Sequence, residues 1–320
     1  MRVLRVVLLT AVLSLLIAPA AQAAPIGALK QQRIPTADSD PRAITVGSDG
    51  NLWFTESSEN LPAQIGRITP AGDVTEFPVE CNFCILTDIV QGPDDVLYYT
   101  SNEDELGRIT TDGTSLPAVQ MPDTDVLAGS LAVHGDDVWI TDFNNHSVWR
   151  YDIPTGQFTQ YVPPTPGASP SDVAVDASGI VWFTESGASQ IGRLDPATGV
   201  ITEIPTSNVP RDITVATDGQ VWFTSRFTPQ AVSRLNPATN EITVFPVASG
   251  GPQGIASSPD GSVWFTLTTK GNIARIANDG VITETKIVKG SEPFGITVDA
   301  EGDPWYTMMS ANKIAEFQLR

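Results

Sequence analysis

One triplet recurs through this chain and limits what it can fold into. An aromatic pair ending in threonine, or a close variant, begins at Trp53, Tyr98, Trp139, Trp182, Trp222, Trp264 and Trp305. Consecutive copies start 45, 41, 43, 40, 42 and 41 residues apart. A period near 42 marks a repeat architecture, in which one supersecondary unit recurs. In the fifth copy, Ile213–Val215 precedes Asp218-Gly219, a hairpin turn signal. The runs Val221–Thr224, Ala231–Leu235 and Glu241–Pro246 follow, with Asn236–Thr239 turning the chain before the last. Four short runs rich in Val, Ile, Thr and aromatics predict a four-stranded antiparallel meander.

Side chains alternate between the faces of a strand. Trp222 and Thr224 therefore face one side of the sheet, while Val221 and Phe223 face the other. Both faces carry bulk and both must be covered, as neighbouring blades cover a propeller blade. The expected fold is an all-β, seven-bladed propeller of four-stranded antiparallel blades. The Gly-His…Trp-Asp signature of WD40 repeats is absent. The last repeat ends with a third run, Lys313–Phe317, and lacks a fourth. Gln31–Pro35 resembles a fourth run standing alone, so the N-terminal strand is expected to close the seventh blade and remove an open edge.

Residues 1–23 read as a secretory signal. Arg2 and Arg5 precede an apolar core from Val6 to Ile17, with Ala21-Gln22-Ala23 as the cleavage site. That core is too short to span a bilayer. Residues 24–320 then form one propeller domain, secreted and monomeric. The formal charge is −19, or −21 once Arg2 and Arg5 are removed. Such a balance argues against a nucleic-acid partner, whose affinity rests on basic side chains, and against an anionic membrane surface. The two cysteines, Cys81 and Cys84, are expected to form a disulfide in an exported chain.

In a propeller the loops entering the first strand and leaving the second open on one end. The residue after each entry position gives Arg42, Thr87, Gly129, Ser171, Arg211, Gln253 and Phe294. The residue after each core threonine gives Glu56, Ser101, Asp142, Glu185, Ser225, Leu267 and Met308. Both sets are expected at a shared mouth, charged on blades one to five and apolar on blades six and seven. A concave mouth of this kind suits a small-molecule, glycan or peptide ligand; the alternative is a solvated scaffold of Arg and carboxylate pairs. The Ile-Gly-Arg triplets ending in Arg67, Arg108 and Arg193 read as structural. His134 and His146 have no metal-ligand spacing and read as surface residues. No nucleophile elbow, P-loop or dinucleotide fingerprint is present.

The repeat Pro-x-x-Ile-Thr…Asp-Gly-x-x-Trp-Phe-Thr-Glu…Ile-Gly-Arg-Ile…Gly-x-Ile-Thr-Glu-Phe resembles the virginiamycin B (streptogramin B) lyase family. The likeness is clearest at Pro41–Phe77 and Pro170–Pro205. It implies a seven-bladed propeller that opens a cyclic depsipeptide by elimination at an ester. A base removes the α-proton while Mg²⁺ polarises the ester. The family's histidines fall after the entry proline of the last two blades, where this chain has Gln253 and Phe294. Its metal-binding glutamates correspond to Glu292 and to Met309. The resemblance therefore implies a lyase, and the residues at those positions imply a non-catalytic ligand-binding propeller.

Overall fold

A computed structural model describes residues 27–58, 61–80 and 84–319. They form seven four-stranded antiparallel sheets, each a consecutive meander except the last. We label the strands of a blade a to d from the channel outward. Blade one is a Pro41–Val46, b Leu52–Glu56, c Gln64–Ile68 and d Val74–Pro78. Blade seven takes a Pro293–Val298, b Pro304–Met308 and c Lys313–Leu319 from the C-terminus, and d Gly27–Arg33 from the N-terminus.

The closing strand pairs from Gly27↔Leu319 to Arg33↔Lys313. It thus begins earlier and ends earlier than Gln31–Pro35. Ile34 lies beyond the ladder yet is buried, and its N–H donates to the Asn312 carbonyl at 3.2 Å. Asn312 also accepts from the Ser39 N–H at 2.9 Å, which ties the entry of blade one to blade seven. The signal segment 1–23 and Cys81 lie outside the described residues.

The core lies between blades, because strand b is apolar on both faces. Val221, Trp222, Phe223 and Thr224 are all buried. Trp222 packs with Ile255 and Phe265 of blade six, while Val221 and Phe223 pack with Trp182 and Ile191 of blade four. The same relation closes the ring, where Trp305 of blade seven packs with Phe54 of blade one. Truncating one such tryptophan costs about 3–5 kcal/mol.

The triplet glycines have a steric reason. A Cβ at Gly66 or Gly192 would lie 2.2 or 2.1 Å from the ring of Phe54 or Phe183. The triplet arginines are structural: Arg67 lies 5.5 Å from the Trp53 ring centre, and Arg193 lies 5.7 Å from that of Trp182. In blade seven the residue opposite Trp305 is Glu316 instead, and Lys30 of the closing strand sets its ammonium 3.4 Å away.

Deleting residues 24–36 is expected to lower the melting temperature by about 10 °C or more, since a whole ladder and the buried Ile34 are lost. A thermal scan with an unchanged midpoint would show that closure carries no stability.

Candidate functional site at the channel mouth

Strand a begins irregularly in most blades. The register slips between Pro41 and Ile44 and between Pro170 and Val173, and likewise in blades two, three, six and seven. Such a bulge turns two successive side chains toward the axis instead of one. A channel of about 240 Å³ runs there, lined by Thr87, Ser171, Arg211, Gln253 and Phe294 and also by Asp88, Asp172 and Asp212. Simple alternation does not find the three aspartates. Their signal is the residue next to the mouth position, as in Pro170-Ser171-Asp172 and Pro210-Arg211-Asp212.

These carboxylates join neighbouring blades. Asp88 accepts from the Leu131 N–H at 2.7 Å and from the Ser130 hydroxyl at 2.8 Å. Asp172 accepts from the Ile213 N–H at 2.6 Å. Burial raises all three above the ordinary carboxylate range. Asp88 reaches about 6. Asp212 also reaches about 6, with the guanidinium of Arg211 pulling the other way. Asp172 stands well above its ordinary value, through burial first and then the neighbouring Asp212.

The two sets of mouth positions separate. Glu56, Ser101, Asp142, Glu185, Ser225, Leu267 and Met308 are all buried inside the blades. Glu56 and Glu185 follow Phe54 and Phe183 by two residues, so they share those rings' face and lie over Gly66 and Gly192. Among the described residues neither oxygen of Glu185 has a hydrogen-bond partner. Burial pushes both Glu56 and Glu185 up to about 8. Asp142 instead accepts from the Asn145 N–H and side-chain amide, at 3.1 and 3.0 Å, and caps its own loop.

Among the first set, Arg42 pairs with Asp40 at 2.9 Å. Arg211 is 41% exposed, with the Asp212 carboxylate 3.7 Å away. Gln253 is only 1% exposed. Its amide N–H donates to Asp212 at 3.3 Å, and its carbonyl oxygen accepts from Arg226 at 3.2 Å. Phe294 is partly buried, and its carbonyl accepts from the Thr266 hydroxyl at 2.9 Å. His134 is exposed, while His146 meets the Ser169 hydroxyl at 3.1 Å.

The sequence model of the virginiamycin B lyase family matches residues 20–129 and 119–320. The chain belongs to the virginiamycin B lyase family. It is 30% identical over 267 residues to a virginiamycin B lyase of Nocardia farcinica, covering 83% of this chain and 76% of the relative. The crystal structure of selenomethionine-substituted virginiamycin B lyase from Staphylococcus aureus superposes with a TM-score of 0.84 at 27% identity. That likeness covers 92% of this chain and all of the other. A catalytically inactive form of the Staphylococcus aureus virginiamycin B lyase with quinupristin gives the same TM-score at 26% identity, covering 92% of this chain and 100% of that one.

The virginiamycin B lyase resemblance implies Mg²⁺ near Glu292, and the residues there do not fit it. Glu292 is exposed and accepts from the Ser310 hydroxyl. The second position is Met309, whose thioether is a poor ligand for a hard cation that takes oxygen. Among the described residues, the carboxylates that converge closely enough for a metal are Asp299, Asp303 and Glu316. They surround the turn between strands a and b of blade seven, at the end opposite the mouth, and the ammonium of Lys30 already neutralises Glu316 there.

The buried glutamates give a pH dependence with a defined sign. A carboxyl held protonated in the fold contributes stability that is full below its ordinary value, 4.5, and is lost as pH rises through about 8. Glu185→Gln keeps the shape and removes the charge. Thermal scans are expected to show the variant melting several degrees above the parent at about pH 9 and close to it at about pH 5. Parallel curves across that range would show that Glu185 is not held protonated.

Proposed function

We propose that this protein is an exported, monomeric propeller that holds a small molecule, glycan or short peptide at its channel mouth and does not open streptogramin esters. The observation that carries this reading is Gln253. At the position where the family resemblance implies a base, this chain has an amide buried and held from both sides by Asp212 and Arg226. An amide has no basic lone pair near neutral pH, and losing a general base typically costs about 10²–10⁴ in rate. Phe294, at the other histidine position, offers no acceptor on its side chain. With Met309 in place of a carboxylate, no Mg²⁺ role is assigned. The buried positions of Glu56, Asp142 and Glu185 keep them from acting as substitute bases at the mouth.

One observation favours a second reading, a lyase with a different base. Asp212 lies beside Gln253 in the channel and is raised to about 6, a value suited to proton transfer. Asp212→Asn removes that basicity, so any activity due to Asp212 is lost with it.

Export implies an oxidising compartment, and Cys84, in the blade-two entry, follows Cys81 by three residues in the sequence. Nucleic acid and membrane surfaces are not expected partners of a chain this acidic. Among the described residues no helix is long and apolar enough to cross a membrane.

The test uses protein recovered from culture medium under non-reducing conditions. Its mass is expected to start at Ala24 and to lack two hydrogens, from a Cys81–Cys84 bond. Incubated with quinupristin, with and without Mg²⁺, it is expected to leave the depsipeptide cyclic. A linear product formed at a rate comparable to a family enzyme overturns the reading; a retained leader or two free thiols overturns the export assignment.

A further inference from the structure

Two phenylalanines stand out among the exposed large apolar side chains. Phe227 is 64% exposed and Phe143 is 39% exposed, and no other phenylalanine of the described residues is as open. Both wall one cavity of about 250 Å³ on the rim of the mouth, together with Val209 and Pro210. The rings come from loops that leave strand b of blades three and five, while Val209 and Pro210 belong to the loop entering blade five. Isolated exposed apolar residues are ordinary on a soluble protein, whereas two rings sharing one concavity mark a binding site.

The cavity is not purely apolar. Arg211 lines both it and the central channel. The nearest carboxylate to that guanidinium is Asp212, at 3.7 Å, beyond hydrogen-bond reach. Arg226 also acts on the Asp212 carboxylate, against Asp88 acting with the opposite sign. Arg211 is the one charged residue among the described residues that line the cavity, and Asp88, Asp172 and Asp212 line the channel and not the cavity. The floor is rigid as well. The Arg211 N–H donates to the Thr224 carbonyl at 2.8 Å, and its own carbonyl accepts from the Thr184 hydroxyl at 2.8 Å. The Gly187 N–H donates to the Ala168 carbonyl at 2.9 Å and fixes the opposite lip. A preformed pocket spares the ordering cost of binding.

We propose that this rim cavity binds an aromatic carboxylate, with the ring seated against Phe143 and Phe227 and the acid group on the Arg211 guanidinium. The pairing follows from chemistry: a planar guanidinium fork matches a carboxylate, and exposed phenyl rings match an aromatic face. It rests on the mouth being a ligand site and names the ligand class. The cavity is lined by blades three to five, and Gln253 and Phe294 of blades six and seven are not among its lining residues.

The test measures binding of 1-naphthoate and of the uncharged 1-naphthalenemethanol by calorimetry, to the full mature protein and two variants. Saturable one-to-one binding of 1-naphthoate is expected. Phe227→Ala, at an exposed position, is expected to weaken both probes. Arg211→Gln is expected to weaken 1-naphthoate by about tenfold or more while leaving the alcohol within about twofold. Should Arg211→Gln fail to fold, NMR on the parent decides, because 1-naphthoate must shift the ring signals of Phe143 and Phe227. Absence of saturable binding, binding untouched by Phe227→Ala, equal loss of both probes in Arg211→Gln, or unshifted ring signals overturns the proposal. Neither probe contains an ester, so the result is independent of any lyase activity. Failure here with quinupristin left cyclic removes the ligand class alone.

Discussion

The threonine that ends the aromatic triplet joins one blade to the next at four seams among the described residues, from Thr184, Thr224, Thr266 and Thr307, and the mouth backbone there depends on it. All seven are buried, at Thr55, Thr100, Thr141, Thr184, Thr224, Thr266 and Thr307. In blade four the Asp172 N–H, freed by the bulge in strand a, donates to the Thr184 hydroxyl at 3.0 Å. That hydroxyl then donates to the Arg211 carbonyl of blade five at 2.8 Å. The bond repeats from Thr224 to the Gln253 carbonyl and from Thr266 to the Phe294 carbonyl, at 2.8 and 2.9 Å. It closes the ring from Thr307 to the Arg42 carbonyl at 2.7 Å. Each contributes about 1 kcal/mol net, less than the aromatic packing between blades. Its value is positional: a hydroxyl accepts and donates at once, so the bulge in one blade fixes the mouth backbone of the next.

This arrangement explains which parts of the molecule were legible in the sequence. The period, the two-faced strand b and the missing last strand are local patterns, and they led directly to seven blades closed by the N-terminus. The limits of the closing strand were less legible, because Gly27–Lys30 carries no alternation of its own and takes its pairing from Lys313–Leu319. Glu56 and Glu185 belong to the face of Phe54 and Phe183, and the glycines of the third strands mark the space they occupy. Their polarity suggested the mouth, whereas their spacing from the aromatic residues indicates the interior. Asp88 and Asp172 stayed hidden because a bulge breaks the alternation on which that reading relied.

In the proposed reading the family fold is kept and the family chemistry is lost at a few atoms. A chain can keep the ring of the family while changing what the mouth presents, since function resides in the site and not in the fold. Here Gln253 is drawn into a bond with Asp212 and Arg226, which occupies its amide on both sides. Charge and apolar surface instead collect across the mouth, at Arg211, Phe143 and Phe227. Both parts of the rim hang on the same backbone, so a change of function needs few substitutions.

That claim is tested most directly by restoring the implied groups on this scaffold. The variant Gln253→His, Phe294→His, Met309→Glu keeps every threonine bond, because those bonds end on backbone carbonyls. In the presence of Mg²⁺ it is expected to linearise quinupristin at a rate about 10²-fold or more above the parent, read as the appearance of the ring-opened product. A parent that opens the depsipeptide as fast as the variant would contradict the account.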